Sequence, residues 1–528
     1  MNALFLTQSS SLNMFYHVMQ ALKEFIPLGK VGFYVADSRF FNQFEKKHPE
    51  IESNPFYFVK EWEIIRDSSG ISPDISLLEN YEKMIGQPFL WNALVADRRI
   101  YFGKKYAYDQ DYCPRFSHER MLAILQVGLI RMENFFDDIQ PDFIVSFQCV
   151  TLGEYLSYLF AKTRNIPILN LRPTRIRNYF YAGESILEPS QHLKETYEQF
   201  YKNGIEPALK KEAINYLQDV RKTHAMYEGV VPASNKPPTT SQVGKRQLRF
   251  LKVWKVLGML VGEYKYRFGE YKDDNYVSGF IGPFVGQRII RPWRARLMER
   301  QFRNFYIRSK DLPVLNYAFF PLHTEPEVTL SVYSKSYLNQ IEAIRLISHN
   351  LPVGMKFIVK EHPWSIGKRP LSYYRKLMEI PNVMLAHPTL KSRELVSNAR
   401  IVTVIAGSIG FEALILKKPV IVLGRTPFNF LPSKMIRYAD NPDRLGDNIR
   451  DLLENYKYNE SALLSYIAAV IKESVAVDFY SKLMGRKGVY IPNKVRNDGE
   501  EQNRERMVHV SLLAKYLKYR LDEIRSKT

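Results

Sequence analysis

Two blocks of alternating strand-like and helix-like segments constrain this chain more than any other feature. In the first, "NALFLT" (2–7) has the length of a buried strand. "SLNMFYHVMQALKEF" (11–25) places apolar residues at helical spacing, and "VGFYVAD" (31–37) returns to strand. The order recurs in "PDFIVSF" (141–147), "GEYLSYLFAKTRN" (153–165) and "IPILNL" (166–171). Strand, loop, helix and strand in succession predict a parallel sheet with right-handed crossovers. The second block runs through "LPVLNYAFFPL" (312–322), a helix expected over about 331–349, "KFIVK" (356–360), "NVMLAHP" (382–388), "RIVTVIAGS" (400–408), "FEALILKK" (411–418) and "PVIVLGR" (419–425).

A length of 528 residues suits two or three domains rather than one core. The boundaries read as an N-terminal Rossmann-like domain over 1–185, a helical and basic insertion over 186–310, a C-terminal Rossmann-like domain over 311–455, and helices over 456–528. The fold class is α/β, with two domains facing a cleft at the carboxyl ends of their strands, where such sheets bind ligands.

Lys and Arg exceed Asp and Glu by 75 − 55 = 20. Between residues 241 and 310 the count is 16 against 5, so half of the surplus sits in the insertion. A surplus of this kind attracts anionic partners: nucleic acid, an acidic membrane face or phosphorylated substrates. The insertion follows a Pro/Ser/Thr linker, "VVPASNKPPTTSQV", and includes "LRFLKVWKVLGMLVGEYKYRF", where cations alternate with Leu, Val, Trp and Phe as in an interfacial helix. That reading favours an anionic membrane surface; an acidic polysaccharide and a self-packed helical bundle are the alternatives. Nucleic acid is disfavoured, because the aromatics form no stacking platform and no recognition motif is present. Two cysteines, Cys113 and Cys149, fit a reducing compartment. With no basic leader and no apolar run near 20 residues, the expected location is the cytoplasm, at or near the inner face of the membrane.

Three strand ends of the second block carry chemistry. "IVTVIAGSIGFEALILKKPVIVLG" (401–424) runs from a buried strand into Ala406-Gly407-Ser408-Ile409-Gly410 and then a helix expected from about Phe411. Gly407 and Gly410 allow close backbone approach, the first turn of the helix favours an anion, and Ser408 adds a hydroxyl. Glu412, placed in that first turn, is an acceptor for a ribose diol; the plainer reading is an ordinary strand-to-helix turn. The strand 356–360 ends in Lys360-Glu361-His362-Pro363, so His362 faces the same edge, with Lys360, Lys368 and Arg369 adding charge. "FFPLHTEPEV" brings His323, Glu325 and Glu327 to that rim. His387-Pro388 serves as an internal control and reads as structural.

In the first block "NLRPTRIRNYFYAG" places Arg172, Arg175 and Arg177 after a strand, suited to a phosphate or carboxylate on the acceptor. Asp97, Asp142 and Glu154 are the carboxylates available for catalysis, with no spacing argument between them. For Asp97 a salt bridge to Arg98 or Arg99 is the plainer reading. No Walker loop, G-x-G-x-x-G after the first strand, CxxC, HExxH or strict G-x-S-x-G is present.

"YAFFPLHTEPE", "KEHPWSIGKRPLSYYRKL", "NVMLAHP" and "GSIGFEALILKKPVIVLG", in this order, resemble the bacterial capsule and surface-polysaccharide biosynthesis proteins, a group that includes Kdo transferases. The likeness covers about residues 311–430. It is weaker at "GQPFLWNALVADRRI" and "IPILNLRPTRIRNYFYAG", and absent from the insertion. It implies a GT-B glycosyltransferase whose second domain holds the nucleotide-sugar. By the same resemblance His362 and Ser408 hold the donor phosphate and Glu412 the ribose, with no cofactor and no metal. The donor implied is a CMP-activated acidic sugar, and the acceptor is a glycan or a lipid-linked glycan. Lys418 stands where the broader GT-B pattern has Gly before Pro419, which counts against a general hexosyltransferase. The alternatives are a UDP-sugar transferase or a 2-epimerase-like enzyme using Glu325 or Glu327, and a non-catalytic assembly partner.

Overall fold

The computed structural model describes residues 1–527 except 52–55, 88, 103–113, 224–225, 228–252, 278, 326 and 486–498. The linker and the start of the basic stretch, together with Cys113, lie outside the described residues.

Thirteen strands form two sheets among the described residues. The first has seven strands in the order β13-β6-β5-β4-β1-β2-β3. They are β1 (Ala3–Thr7), β2 (Val31–Val35), β3 (Phe56–Lys60), β4 (Phe143–Phe147), β5 (Ile168–Pro173), β6 (Tyr179–Gly183) and β13 (Val475–Ala476). Strands β1 to β5 are parallel, whereas β6 and β13 add an antiparallel edge. The second sheet is wholly parallel in the order β12-β11-β10-β7-β8-β9. Its strands are β7 (Tyr317–Pro321), β8 (Lys356–Lys360), β9 (Val383–Ala386), β10 (Ile401–Val404), β11 (Val420–Val422) and β12 (Ile436–Tyr438).

Helices cover both faces of each sheet, which is why β1, β2, β4 and β10 are buried at every position and read as continuous apolar runs. The helices needed below are α1 (Ser11–Leu22), α2 (His118–Ile139), α3 (Leu152–Thr163), α4 (Gln191–Asn203), α5 (Pro207–Thr223), α6 (Val253–Arg267), α7 (Arg291–Phe302), α8 (Gln340–His349), α9 (Ser408–Ile415), α10 (Glu460–Glu473) and α11 (Gly499–Lys527). Helices α4, α5 and α10 share one core with a face of the second sheet. After α10 the chain returns to the first sheet as β13, and α11 packs with α1 against β1 and β2.

Strand order reverses between β1 and β4 in the first sheet and between β7 and β10 in the second. These reversal points open a crevice at the carboxyl ends of the strands. Three local expectations are corrected. The helix expected over 331–349 is shorter: Thr329–Tyr333 is a wide turn and α8 begins at Gln340, where the Asn339 side chain accepts from the Ile341 N–H. Helix α9 starts at Ser408, with Gly407 as its N-cap, rather than near Phe411. Glu412 therefore lies in the second turn, away from the positive helix end.

Candidate active site

Adjacent strands β8, β7 and β10 end at one rim, and their loops bring His362, His323 and Ser408 together. His323 follows β7. Its backbone N–H donates to Gln340 Oε1 at 2.8 Å, and its carbonyl accepts from Arg369 Nη2 at 2.5 Å. Its Nδ1 lies 3.1 Å from Glu327 Oε2. Its Nε2 is buried with no hydrogen-bond partner among the described residues, in a residue only 8% exposed. A Cβ built on Gly407 would lie 3.2 Å from His323 Cε1 and 3.5 Å from Nε2. Glycine thus lets the start of α9 approach the imidazole, and no side chain caps that helix. Gly410 has a different use: a Cβ there would meet Val404 at 3.0 Å and Phe428 at 3.3 Å, so it packs α9 on its own sheet.

His362 follows β8. Its Nδ1 accepts from the Trp364 N–H at 3.2 Å, which assigns the proton of the neutral ring to Nε2. Pro363 opens the short turn Pro363–Ser365 that sets this geometry. Burial pushes His362 down to about 4, with Lys360 and His323 acting the same way against the opposing fields of Glu361 and Glu327. The ring is therefore neutral near pH 7. A neutral Nε2–H still donates to an oxyanion. Burial also lowers Lys360 to about 8, against the fields of Glu361 and Glu412. Burial raises Glu412, opposed by Arg393 and Lys360.

Glu325 and Glu361 are turned away from the cleft. Arg369 is fully buried; its Nη1 donates to both Glu361 oxygens at 2.5 Å, and its Nη2 lies 3.4 Å from Glu325. Glu361 also accepts from Tyr374 Oη at 2.5 Å and the His362 N–H at 2.6 Å, and Gln340 donates to Glu325. This buried knot joins the β7 and β8 loops and fixes where the two histidines sit. His387, the control, has both ring nitrogens engaged, by Thr389 and Glu299.

The three arginines of the first half diverge. Arg175, in the left-handed backbone region at φ 66°, stacks over Tyr227 at 5.0 Å. Tyr227 Oη lies 3.4 Å from Ser408 Oγ. Burial disfavours charge on Glu327, but the His323 hydrogen bond, then His323, Arg175 and His362 as charges, hold it below the usual carboxylate range. Arg175 and Tyr227 thus reach the rim of the second sheet. Arg172 does not: Asn170, Ser185 and Glu188 take its N–H groups, and it stacks on Tyr333 at 4.7 Å. Arg177 pairs with Glu212 at 3.2 Å on the surface.

Each of the three first-half carboxylates is engaged by the chain itself. Asp142 lies at the start of β4, at the opposite edge, where its Oδ2 accepts from the Asn2 N–H at 2.6 Å. Asp97 is buried and caps the short helix Arg98–Tyr101, accepting from Arg99 N at 2.9 Å, Ile100 N at 3.1 Å and Leu152 N at 3.1 Å. That cap, rather than an ion pair with Arg98 or Arg99, is its main engagement. Glu154 forms a capping box with Thr151 at the start of α3, and burial raises it to about 8.

Sequence reasoning missed Tyr227, which lies beside the linker with no motif around it, and the knot-forming roles of Gln340 and Tyr374. Away from the rim, His192 bridges Glu473 and Glu523, tying α4 to α10 and α11.

Comparison with known proteins adds the following. Residues 299–431 match the model for "Capsule polysaccharide biosynthesis protein", an interval that contains every rim residue of the second sheet. A 115-residue stretch is 36% identical to Protein FixF of Sinorhizobium fredii (strain NBRC 101917 / NGR234), covering 21% of this chain and 26% of that protein. The alignment thus spans about a quarter of that relative's length. Among solved structures, Thermosulfurimonas dismutans KpsC, beta Kdo 2,4 transferase, is 12% identical and covers 69% of this chain and 87% of its own, with a TM-score of 0.35. UDP-GlcNAc 2-epimerase from Methanocaldococcus jannaschii is 13% identical over 89% and 99% of the two chains, with a TM-score of 0.23. Among the described residues, no helix is long and apolar enough to cross a membrane.

Proposed function

We propose, for a chain whose residues 299–431 match the model for "Capsule polysaccharide biosynthesis protein", a glycosyltransferase that holds a nucleotide-sugar at the rim of the second sheet. Its donor is a CMP-activated acidic sugar, and its acceptor a surface glycan or a lipid-linked glycan. The observation that carries the reading is the buried, unpartnered Nε2 of His323 beside the uncapped start of α9. A polar atom buried without a partner is costly and marks a place for a ligand.

A phosphate seated there would accept from the Ser408 and Ile409 N–H groups at the start of α9, the Gly410 N–H being taken by the Gly407 carbonyl at 3.1 Å, and from His362 Nε2–H. Ser408 Oγ and Arg175 lie on the same rim. His323 would meet the phosphate through Nε2 while Glu327 holds its Nδ1, helping to seat the leaving nucleotide. No metal is needed for that step, so chelation should leave turnover unchanged.

The test is thermal unfolding with CMP, CDP, UDP and GDP in parallel. A ligand at about 100 times its dissociation constant stabilises the native state by roughly 2.7 kcal/mol. Selective stabilisation by CMP, lost in His323→Ala, is the expected outcome. Stabilisation by UDP alone moves the assignment to a hexosyltransferase or a 2-epimerase-like enzyme. No shift with any nucleotide removes the donor site.

A further inference from the structure

The insertion presents an apolar surface that the other described residues leave exposed. On α6, Trp254, Leu257, Val261 and Tyr264 follow one another at spacings of three and four, and Phe268 extends the row beyond the helix end. Such spacing places all five on one face. All are exposed, Trp254 at 82%, Tyr264 at 65% and Phe268 at 72%. The opposite face is the packed one. A Cβ on Gly262 would lie 2.9 Å from the Phe280 ring, and Glu263 accepts from Phe280 N at 2.9 Å and Ile281 N at 3.1 Å. Trp293 on α7 and Ile289 just before it are also exposed, at 59% and 51%. Soluble proteins seldom leave a contiguous aromatic and aliphatic row in water without a partner for it.

The surroundings of the row define the partner. Residues 253–300 contain nine Lys and Arg against five Asp and Glu. Two of the acids are engaged locally, Glu263 by Arg267 at 2.8 Å and Glu270 by Lys265 at 3.0 Å. A second copy of the same face would bring like charges together, and a soluble acidic glycan would leave the apolar row wet. Trp, Tyr and Phe among cations match instead the boundary between lipid headgroups and acyl chains. The helix is about 22 Å long, enough to lie in that boundary.

A second observation fixes where this face points. Beyond α6 the chain plants Asp274 to Val277 in the carboxyl edge of the first sheet. Asp274 accepts from Ser38 N at 2.9 Å, which follows β2, and from Val277 N at 2.9 Å. Asn275 donates to Glu61 and Asp97 at 3.2 Å each, and Tyr276 Oη donates to Gln8 Oε1 at 2.6 Å. Arg99 stacks on Tyr276 at 3.6 Å. Gln8 and Glu61 come directly after β1 and β3, and Ser38 three residues after β2, so the exposed helix is tied to the cleft side of the first sheet.

We infer that the α6 face is a docking surface for an anionic lipid bilayer. It lays the helix along the headgroup boundary and holds the cleft side of the first sheet next to the membrane. The inference stands apart from the donor-site reading, because its test uses no nucleotide and no turnover.

The experiment is co-sedimentation of the full chain with phosphatidylcholine vesicles, with and without about a third phosphatidylglycerol, at low and physiological salt. The wild-type protein should bind the anionic vesicles, more weakly at higher salt, and bind neutral vesicles poorly. The double variant Trp254→Ser, Leu257→Glu should lose at least about tenfold in partitioning, with an unchanged unfolding midpoint because both side chains are exposed. Failure of the wild type to bind anionic vesicles overturns the inference, as does wild-type-like binding by the variant. It is likewise overturned if the wild type is a dimer in solution that the variant converts to monomer without vesicle binding, since a second copy then covers the face.

Discussion

Replacing Arg369 with Met tests whether the buried knot positions the histidines. Arg369 has no exposed surface and sits between Glu361, at 2.5 Å to each oxygen, and Glu325 at 3.4 Å. Met fills much of the volume but leaves two buried carboxylates without their cation. Breaking a buried ion pair from one side costs about 3–5 kcal/mol, chiefly from the charge left unpaired. The His323 carbonyl also loses its 2.5 Å donor, a loss of about 1 kcal/mol. Calorimetry should show the unfolding transition that contains the second sheet lowered by roughly 10 °C. The double variant Glu361→Gln, Arg369→Met should recover a substantial part, because the amide still accepts from Tyr374 and the His362 N–H without carrying charge. Both variants should lose nucleotide affinity, since His323 is no longer held. A loss under about 1 kcal/mol for Arg369→Met, or no recovery in the double variant, would refute the reasoning.

Gly407→Ala places a methyl 3.2 Å from His323 Cε1; it should cost about 1 kcal/mol or less in stability yet weaken CMP binding at least tenfold by calorimetric titration. His362 is held near 4 in the folded chain against an ordinary value of 6.5. The unfolded chain therefore binds the proton more readily, and stability is level above pH 6.5 and falls between 6.5 and 4, by at most about 3 kcal/mol. In His362→Asn that acid limb should be shallower in urea midpoints measured against pH. Glu154 runs the other way. Its folded value of about 8 lies above the ordinary 4.5, so its contribution is complete below pH 4.5 and is lost as pH rises to 8. Glu154→Gln should flatten the decline between those limits.

The strands that were legible are those buried on both faces, such as β1, β4, β8 and β10, because a parallel strand under two helix layers has to be apolar at nearly every position. The strands that escaped are edges or fragments. β3 is half-buried throughout, β12 has one buried residue of three, and β13 is two residues long. The rim was legible for a related reason: a polar cluster directly after a buried strand has nowhere to go but the carboxyl edge. That argument located His323, His362 and Ser408 but could not say which way each side chain turns. Glu325 and Glu361 belong to the same loops, yet a buried arginine drawn in from eight residues past Glu361 takes both. Tyr227 meets Ser408 from 181 positions away, a distance at which periodicity and spacing carry no information.

The two sheets share a topology and differ in how their carboxyl edges are used. At the second sheet, polar groups are left unengaged: among the described residues His323 Nε2 has no partner and no side chain caps α9. At the first sheet, the chain itself fills the corresponding place. Asp97 and Glu154 cap helices, while Glu61 accepts from Tyr34 and Asn275. Asp274 to Val277 lie across the ends of β1 and β2, contributed by the insertion that also exposes the apolar row. Asp97 and Glu61 accept internal hydrogen bonds through both carboxylate oxygens, and freeing one means breaking a buried contact; Glu154 accepts only through Oε2, and its buried Oε1 has no partner among the described residues. Of the first-half residues that do reach the second rim, Arg175 comes from the turn just past β5, whereas Tyr227 follows α5 and belongs to no strand end. The insertion therefore does more than lengthen the chain: its Asp274 to Tyr276 are bonded to residues just past the carboxyl ends of β1, β2 and β3.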